Sequence, residues 1–347
     1  MRMCNIAGYN GPRRAAPILL EMLRREEIYD GGFSTGIATI HDGKIHYRKV
    51  IGNVDTLIRE TDALDLPGTV GIAHSRPGAD RLLHAHPQVS NNGEIALVTN
   101  GTGFLDWKAL TPAARKLEAA GYTFSTKREG AEGSIEPTVS DGSLVWCLEV
   151  CVNLTEYYME KEGLSFEKAF LRAADEHPGE RVQVQINSRD PSSIFVIRNT
   201  RPMEVLVADG ESYIATTRLA FPCDVSGDVY SLPVLRLSKV GRGRVEFTEH
   251  KMKSIKVSEI TPKTYLTAYN KIVDMLSSGE CVWDDIELAM KNTPELWNEN
   301  NGVSQYAKVG YDVLWQLKQE GRLSERLAPK AHKLYGERIL SHMSLKK

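Results

Sequence analysis

Apolar residues recur with two alternating periods along the first 220 residues or so, and the switches between them outline the elements. Cys4 to Gly8 opens on a strand-like stretch. Arg13 to Arg25 then takes helical spacing, with Ala16, Leu19, Leu20 and Leu23 on one face and Arg14, Glu21, Arg24 and Arg25 off it. Asp30-Gly31-Gly32 predicts a turn into a strand over Ser34–Ile40, and His41-Asp42-Gly43-Lys44 a hairpin turn into Ile45–Val50. Thr69–His74 and Glu94–Thr99 read as strands that end in polar loops. Leu110–Ala120 reads as a helix closed by Gly121, and Lys127–Pro137, which has no periodicity, as a surface loop. Ser140-Asp141-Gly142-Ser143 is expected to open a long helix carrying Cys147 and Cys151 on one buried face, with a second helix over about Ser165–Glu176. Strands follow at Val182–Asn187, Ser193–Arg198, Glu204–Ala208 and Ser212–Thr216.

Strands with few helices between them, then two helices, then strands again suit stacked antiparallel sheets with helices outside, an α+β class, better than a doubly wound parallel sheet. Beyond about residue 255 the character changes. Thr261-Pro262 starts a helix with Leu266, Tyr269, Val273 and Leu276 at helical spacing, and Val303–Glu320 repeats the pattern through Tyr306, Val309, Val313 and Leu317. The last stretch, Arg322–Lys347, has seven Lys/Arg against two Glu. The expectation is a first domain over 4–245 and a separate helical module over 255–347.

Composition narrows the class without naming it. The 347 residues suit two domains, and 41% apolar and 25% charged residues are ordinary for a globular protein. A net charge of -2 gives no general attraction to nucleic acid or acidic lipid, and a solvated face is the plain reading of the basic C-terminus. No apolar run reaches the ~20 residues of a membrane span, and no apolar signal core follows Met1-Arg2-Met3. Five cysteines at irregular spacing suggest no disulfide framework, so cytoplasm is the expected compartment.

The candidate chemistry lies where strands end. Cys4 is nearly first in the chain; were the residues before it removed, thiol and α-amine would share one residue, a nucleophile with its own base. Arg76 offers a fork for a carboxylate and Asp141 an anion for an ammonium, as a free amino acid substrate requires. The Asn100 side-chain amide and the Gly101 N–H could hold a tetrahedral oxyanion. Each has a plain alternative: Arg76 a surface ion pair, Asn100-Gly101 a turn, Asp141 a helix N-cap. His74, His84 and His86 with Asp80 could ligate a divalent metal, but no carboxylate or cysteine stands at a characteristic spacing, so no metal is expected. No phosphate-loop or dinucleotide motif occurs, and no cofactor is expected.

From Cys4 to about Pro222 the chain resembles the glutaminase domain of glucosamine-6-phosphate synthase, a type 2 glutamine amidotransferase of the N-terminal-nucleophile hydrolases. The match runs in order through Cys4-Asn5-Ile6-Ala7-Gly8, Ile18–Arg25, Ser34-Thr35-Gly36-Ile37-Ala38, Gly71–Arg76, Ala85-His86-Pro87, Asn100-Gly101, Ser140-Asp141 and Arg198–Pro222. The resemblance implies a four-layer αββα sandwich, with Cys4 as nucleophile and Asn100 and Gly101 as oxyanion hole. It also implies Arg76 on the glutamine carboxylate, Asp141 on its ammonium and His86 among the substrate-binding residues. The family's Trp after the arginine is Pro77 here, and its Arg-Gly-Tyr-Asp-Ser-Ala-Gly is Asp30-Gly31-Gly32-Phe33-Ser34-Thr35-Gly36. Lys127–Pro137 is an apparent insertion, and nothing after residue 222 resembles the sugar-isomerase domains.

The expected function is a glutaminase or amidotransferase subunit that hydrolyses glutamine through a Cys4 thioester. It would release ammonia to a separate synthase, or within a self-associated assembly, in amino-sugar synthesis. The alternatives are a hydrolase of another γ-glutamyl amide and a silent or regulatory glutamine-binding protein on the same scaffold.

Overall fold

A computed structural model describes residues 3–78, 81–103, 107–130, 133–177, 179–249, 252, 255–296, 302–332 and 336–346. Its strands are β1 (Asn5–Asn10), β2 (Ser34–His41), β3 (Lys44–Val50), β4 (Val70–Arg76), β5 (Gln88–Val89), β6 (Ile95–Gly103), β7 (Gly179–Asn187) and β8 (Asp190–Arg198). They continue with β9 (Glu204–Ala208), β10 (Glu211–Ala215), β11 (Asp228–Ser231), β12 (Leu237–Gly241), β13 (Arg244–Phe247), β14 (Leu323–His332) and β15 (Gly336–Leu345). The helices are α1 (Ala15–Glu27), α2 (Val54–Glu60), α3 (Thr111–Ala119), α4 (Cys147–Glu160), α5 (Phe166–Asp175), α6 (Pro262–Ser278), α7 (Trp283–Lys291) and α8 (Tyr306–Gln319).

A seven-stranded sheet runs β11-β9-β10-β1-β4-β2-β3 and a six-stranded sheet β13-β12-β8-β7-β6-β5, with antiparallel pairing throughout. Alternation dictates what each sheet buries. Ile6, Ala38 and Ile72 on the first meet Ala96, Val98, Val184 and Val196 on the second in one shared core. Their odd neighbours Ala7, Ile37 and Ala73 face outward onto Leu19, Leu20 and Leu23 of α1. The outer side of the second sheet, through Leu97, Phe195 and Ile197, receives α4 and α5. Cys147 and Cys151 sit there as two small buried side chains, as their spacing predicts.

Two expectations are corrected. The helix foreseen from Ser140 begins at Cys147. The Trp146 N–H is taken by Thr126 Oγ1, the Glu149 carboxylate bonds back to Ser125 and Thr126, and Gly142, at φ +82°, makes a turn instead. The stretch after Arg322 is not helical: β14 and β15 form a hairpin paired from Leu323↔Leu345 to His332↔Gly336. Pro329 and Gly336 break a helix there, whereas Arg338, Leu340 and the 0% exposed Met343 face inward in strand geometry. Strands β11 to β13 and helices α2 and α7 were not apparent from the periodicity.

The C-terminal elements share a core with the sheets' end. Met3, Tyr29 and Leu219 are in one cluster with Ile272, Leu276, Trp283, Met290, Val313, Leu314 and Met343. No helix among the described residues is long and apolar enough to cross a membrane.

Candidate active site

Cys4 precedes β1, the strand between β10 and β4 at the middle of the first sheet, so neighbouring strand ends deliver the other groups to it. Its backbone N–H donates to Asn100 Oδ1 at 3.1 Å. Its thiol is pushed up to about 11 by burial, against the lowering pull of Arg76 and Arg201 and a hydrogen bond from the Gly101 N–H, while Asp30 raises it further.

Asn100 and Gly101 lie in the second half of β6, opposite Val182 and Arg181 of β7. Asn100 is fully buried, and its Nδ2 has no hydrogen-bond partner among the described residues. A buried amide left unmatched costs about 1–3 kcal/mol. Gly101 stands at φ +106°, and a Cβ there would fall 1.9 Å from the Glu180 carbonyl oxygen, so only glycine fits. Behind this pair, His74 Nε2 bonds the Thr99 carbonyl at 2.9 Å, and the Thr99 N–H donates to His86 Nδ1 at 3.1 Å. The two rings stack with centroids 3.9 Å apart. Burial holds both neutral, His74 lowered to about 3 and His86 well below its usual range. His86, expected among the substrate-binding residues, is buried and braces β6 through Thr99.

Arg76 ends β4 on the same side. Its Nη1 donates to the His84 carbonyl at 3.1 Å, and its guanidinium lies 5.7 Å from the centre of the Trp146 ring. His84 stacks on that ring at 4.4 Å, with Trp107 edge-on at 4.9 Å. Asp141 is not brought to this group. It sits on an exposed turn, with its carboxylate 2.8 Å from Lys127 Nζ and bonded to the Ser143 N–H, and Lys127 holds it well below the usual carboxylate range. Lys127 thus takes the carboxylate that the resemblance assigns to a substrate ammonium. The metal alternative gains nothing: no group of three His, Cys, Asp or Glu is placed to hold an ion among the described residues, and Asp80 lies outside them.

Several neighbours of Cys4 escaped the sequence. Asp30, read only as a turn residue, is fully buried and accepts the Met3 N–H through Oδ2 at 2.8 Å. The Asp30-Gly31-Gly32 departure from the family's Arg-Gly-Tyr was the available signal. Arg201 Nη1 lies 3.1 Å from both Met3 Sδ and the Tyr306 hydroxyl, and 3.5 Å from Glu287. Arg338, on β15, pairs with Asp30 at 3.1 Å. Trp146 was read only as part of a helix. Arg201 lies in the matched stretch Arg198–Pro222 with no role assigned to it, Arg338 and Trp146 stand in no recognisable motif, and Arg338 reaches the site across 308 residues of chain.

The two stacked antiparallel sheets set Cys4 at the head of a central strand, with Asn100 and Gly101 on the facing sheet. No family model matches the chain. It is 31% identical over 224 residues to the glutamine–fructose-6-phosphate aminotransferase (isomerizing) of Pyrococcus horikoshii, an alignment covering 63% of this chain and 33% of that protein. The enzyme of that name from Methanothermobacter thermautotrophicus is 35% identical over 207 residues, covering 58% of this chain and 30% of its own. The chain thus spans about a third of the length of these relatives. Among solved structures, glutamine phosphoribosylpyrophosphate amidotransferase from B. subtilis, complexed with ADP and GMP, superposes with a TM-score of 0.57 at 16% identity. That superposition covers 93% of this chain and 66% of the other. By sequence and by fold the chain is a relative of the glutamine amidotransferases.

Proposed function

We propose that the chain is a glutaminase, acting through Cys4, that supplies ammonia to a separate synthase. One observation carries this reading: the buried, unpartnered Nδ2 of Asn100, on the residue whose Oδ1 holds the Cys4 N–H. A donor kept unmatched against its desolvation cost is what an oxyanion hole needs. The stacked sheets and their flanking helices are read as the four-layer αββα sandwich, with the C-terminal elements as a module packed on one end.

In the proposed reaction Arg76 receives the glutamine α-carboxylate, and Cys4 Sγ attacks the side-chain amide carbon. The oxyanion is held by Asn100 Nδ2 and the Gly101 N–H. Collapse breaks the C–N bond, the protonated nitrogen leaves as ammonia, and a γ-glutamyl thioester remains on Cys4. Water then cleaves the thioester to glutamate and restores the thiol. The thiol, raised by burial, needs a base. Removal of Met1–Met3 supplies one, since the new α-amine would sit where the Cys4 N–H now meets Asn100 Oδ1. The leader-bearing chain is the silent form, because Met3 is fully buried and Cys4 then has only an amide nitrogen. Amino-sugar synthesis is the proposed setting, as the relatives' names join glutamine to fructose 6-phosphate.

Glutamate release from L-glutamine, with intact mass measured in parallel, tests this. Protein beginning at Cys4 is expected to release glutamate and C4A to release none; undiminished release by C4A would refute the assignment.

A further inference from the structure

We infer that Arg338, far outside the nucleophile's own sheet, is a positioning residue for it, fixing Asp30 against the start of the Cys4 strand. The inference rests on the proposed role of Cys4 and adds a C-terminal residue to that machinery.

The contacts form a short chain. Arg338 is 8% exposed; its Nη1 donates to Asp30 Oδ1 at 3.1 Å and to the Gly31 carbonyl at 2.6 Å, and its guanidinium covers the Phe33 ring at 5.0 Å. Asp30 carries the link to the nucleophile strand. Oδ2 takes the Met3 N–H, its carbonyl takes Asn5 Nδ2 at 2.6 Å, and Oδ1 also takes the Gly31 N–H at 2.7 Å. Both sides of Cys4 in sequence are thereby tied to one aspartate, and that aspartate's cation comes from β15. The loop is pinned from below as well: the Gly32 N–H donates to Ser75 Oγ, which donates to Glu27. Arg338 thus closes a frame whose other struts belong to the first sheet.

The charge on Asp30 matters as much as its place. An ionised Asp30 accepts donors from the chain start, whereas a protonated one offers a donor and loosens them. Burial raises Asp30 to about 6, with Asp284 of α7 adding to the rise and Arg338 opposing it. The other ionisable groups that feel Asp30 are Glu287 on α7, Tyr311 on α8 and the Cys4 thiol. Arg338 approaches Asp284 as well, at 3.9 Å, so it is the cation between two acids. Removing its charge leaves the acids to raise Asp30 further, and a higher pH is then needed to ionise it.

The test is the pH profile of glutamate release for the chain beginning at Cys4, the form proposed to be active, and for its R338K, R338Q, D30N and R338Q/D30N variants. R338Q keeps a donor for the Gly31 carbonyl but not the charge. Its acid limb is expected to move up by about 1–2 pH units, with R338K close to the parent. R338Q should add nothing in the D30N background. A hairpin that merely held the fold would lower the melting temperature of R338Q without moving the limb, and an unmoved limb overturns the inference. Should the parent release no glutamate, the Cys4 reading fails and amide exchange at Gly31 decides the rest. Exchange at least about tenfold faster in R338Q than in the parent supports the positioning role, since the loosened bond must open more readily, and equal rates overturn it. If R338Q does not fold, R338K serves in both measurements, a loss of the limb position or of Gly31 protection despite its charge overturning the inference.

Discussion

Asn100 is loaded unequally: Oδ1 is satisfied by the Cys4 backbone, and Nδ2 has no hydrogen-bond partner among the described residues although the residue is fully buried. A folding-optimised site would hold an apolar side chain or a partnered amide there, so the residue costs stability and its return must come during reaction. N100A is therefore expected to lower kcat by about 10²–10³ while KM changes far less. The loss of the Cys4 tether confines any drop in melting temperature to a few degrees. Steady-state glutamate release and thermal unfolding, measured on the same preparation, check this; a mutant that loses stability but keeps kcat would count against the oxyanion role. Cys4, Arg76, Asn100 and Gly101, which the fold brings together, stood out in the sequence because each is a residue type whose chemistry is local. The surroundings of Asp141 and His86 were not legible in that way. A carboxylate near a helix start and a histidine near a proline have the right chemistry, but their destinations depend on Lys127 and on Thr99, which only the folded chain brings to them.

At the scale of elements, the seam between β9, the end of β8 and α8 is held by buried charge. Lys308 of α8 is 4% exposed and lies 3.2 Å from Glu204 on β9, while also bonding Asp312 one turn on. Arg218 reaches Glu204 at 2.8 Å, and Arg198 of β8 bonds Gln305 just before α8. Replacing one partner of such a set leaves its counter-charges without compensation. K308M is expected to cost about 3–5 kcal/mol in chemical denaturation at pH 8. Asp312 is already raised by burial and loses its main lowering partner in K308M, so it protonates more readily as pH falls. The penalty should then be smaller at pH 5 than at pH 8, and a pH-independent penalty would argue for lost packing instead. This seam also explains which elements periodicity could reveal. Helices α1, α5 and α6 bury one stripe each, and α8 does so in its second half through Val313, Leu314 and Leu317, so their spacing is plain in the sequence. The β14–β15 hairpin escaped because its burial is uneven on both faces: Leu327 and Ile339 are exposed on the face that carries buried Met343, and Leu340 is buried on the other, which blurs the alternation that marks a strand.

For the whole molecule the question is whether the C-terminal elements and the sheets unfold as one. Their apolar core is continuous: Tyr29 meets Tyr311 edge-on at 6.5 Å, Tyr311 stacks on Trp283 at 3.7 Å, and Met3 and Leu219 complete the same cluster. The polar links are as shared, since Tyr29 bonds Glu325, Arg201 reaches Tyr306 and Glu287, and Arg338 reaches Asp30. Taking away residues 255–347 would expose Tyr29, Met3 and Leu219 together and leave Arg201 and Asp30 without their cross-boundary partners, at the end of the sheet that carries Cys4. The full chain is thus expected to melt in one transition, with Trp fluorescence, to which Trp283 and Trp315 contribute beside Trp107 and Trp146, coinciding with far-ultraviolet circular dichroism, which reports both sheets. A chain ending at residue 254 should melt lower, bind a hydrophobic dye at room temperature and lose glutamate release even though Cys4, Asn100, Gly101 and Arg76 all remain. If that shorter chain instead kept the parent's transition and its activity, the C-terminal elements would be an independent module, and the frame around Cys4 would belong to the first sheet alone.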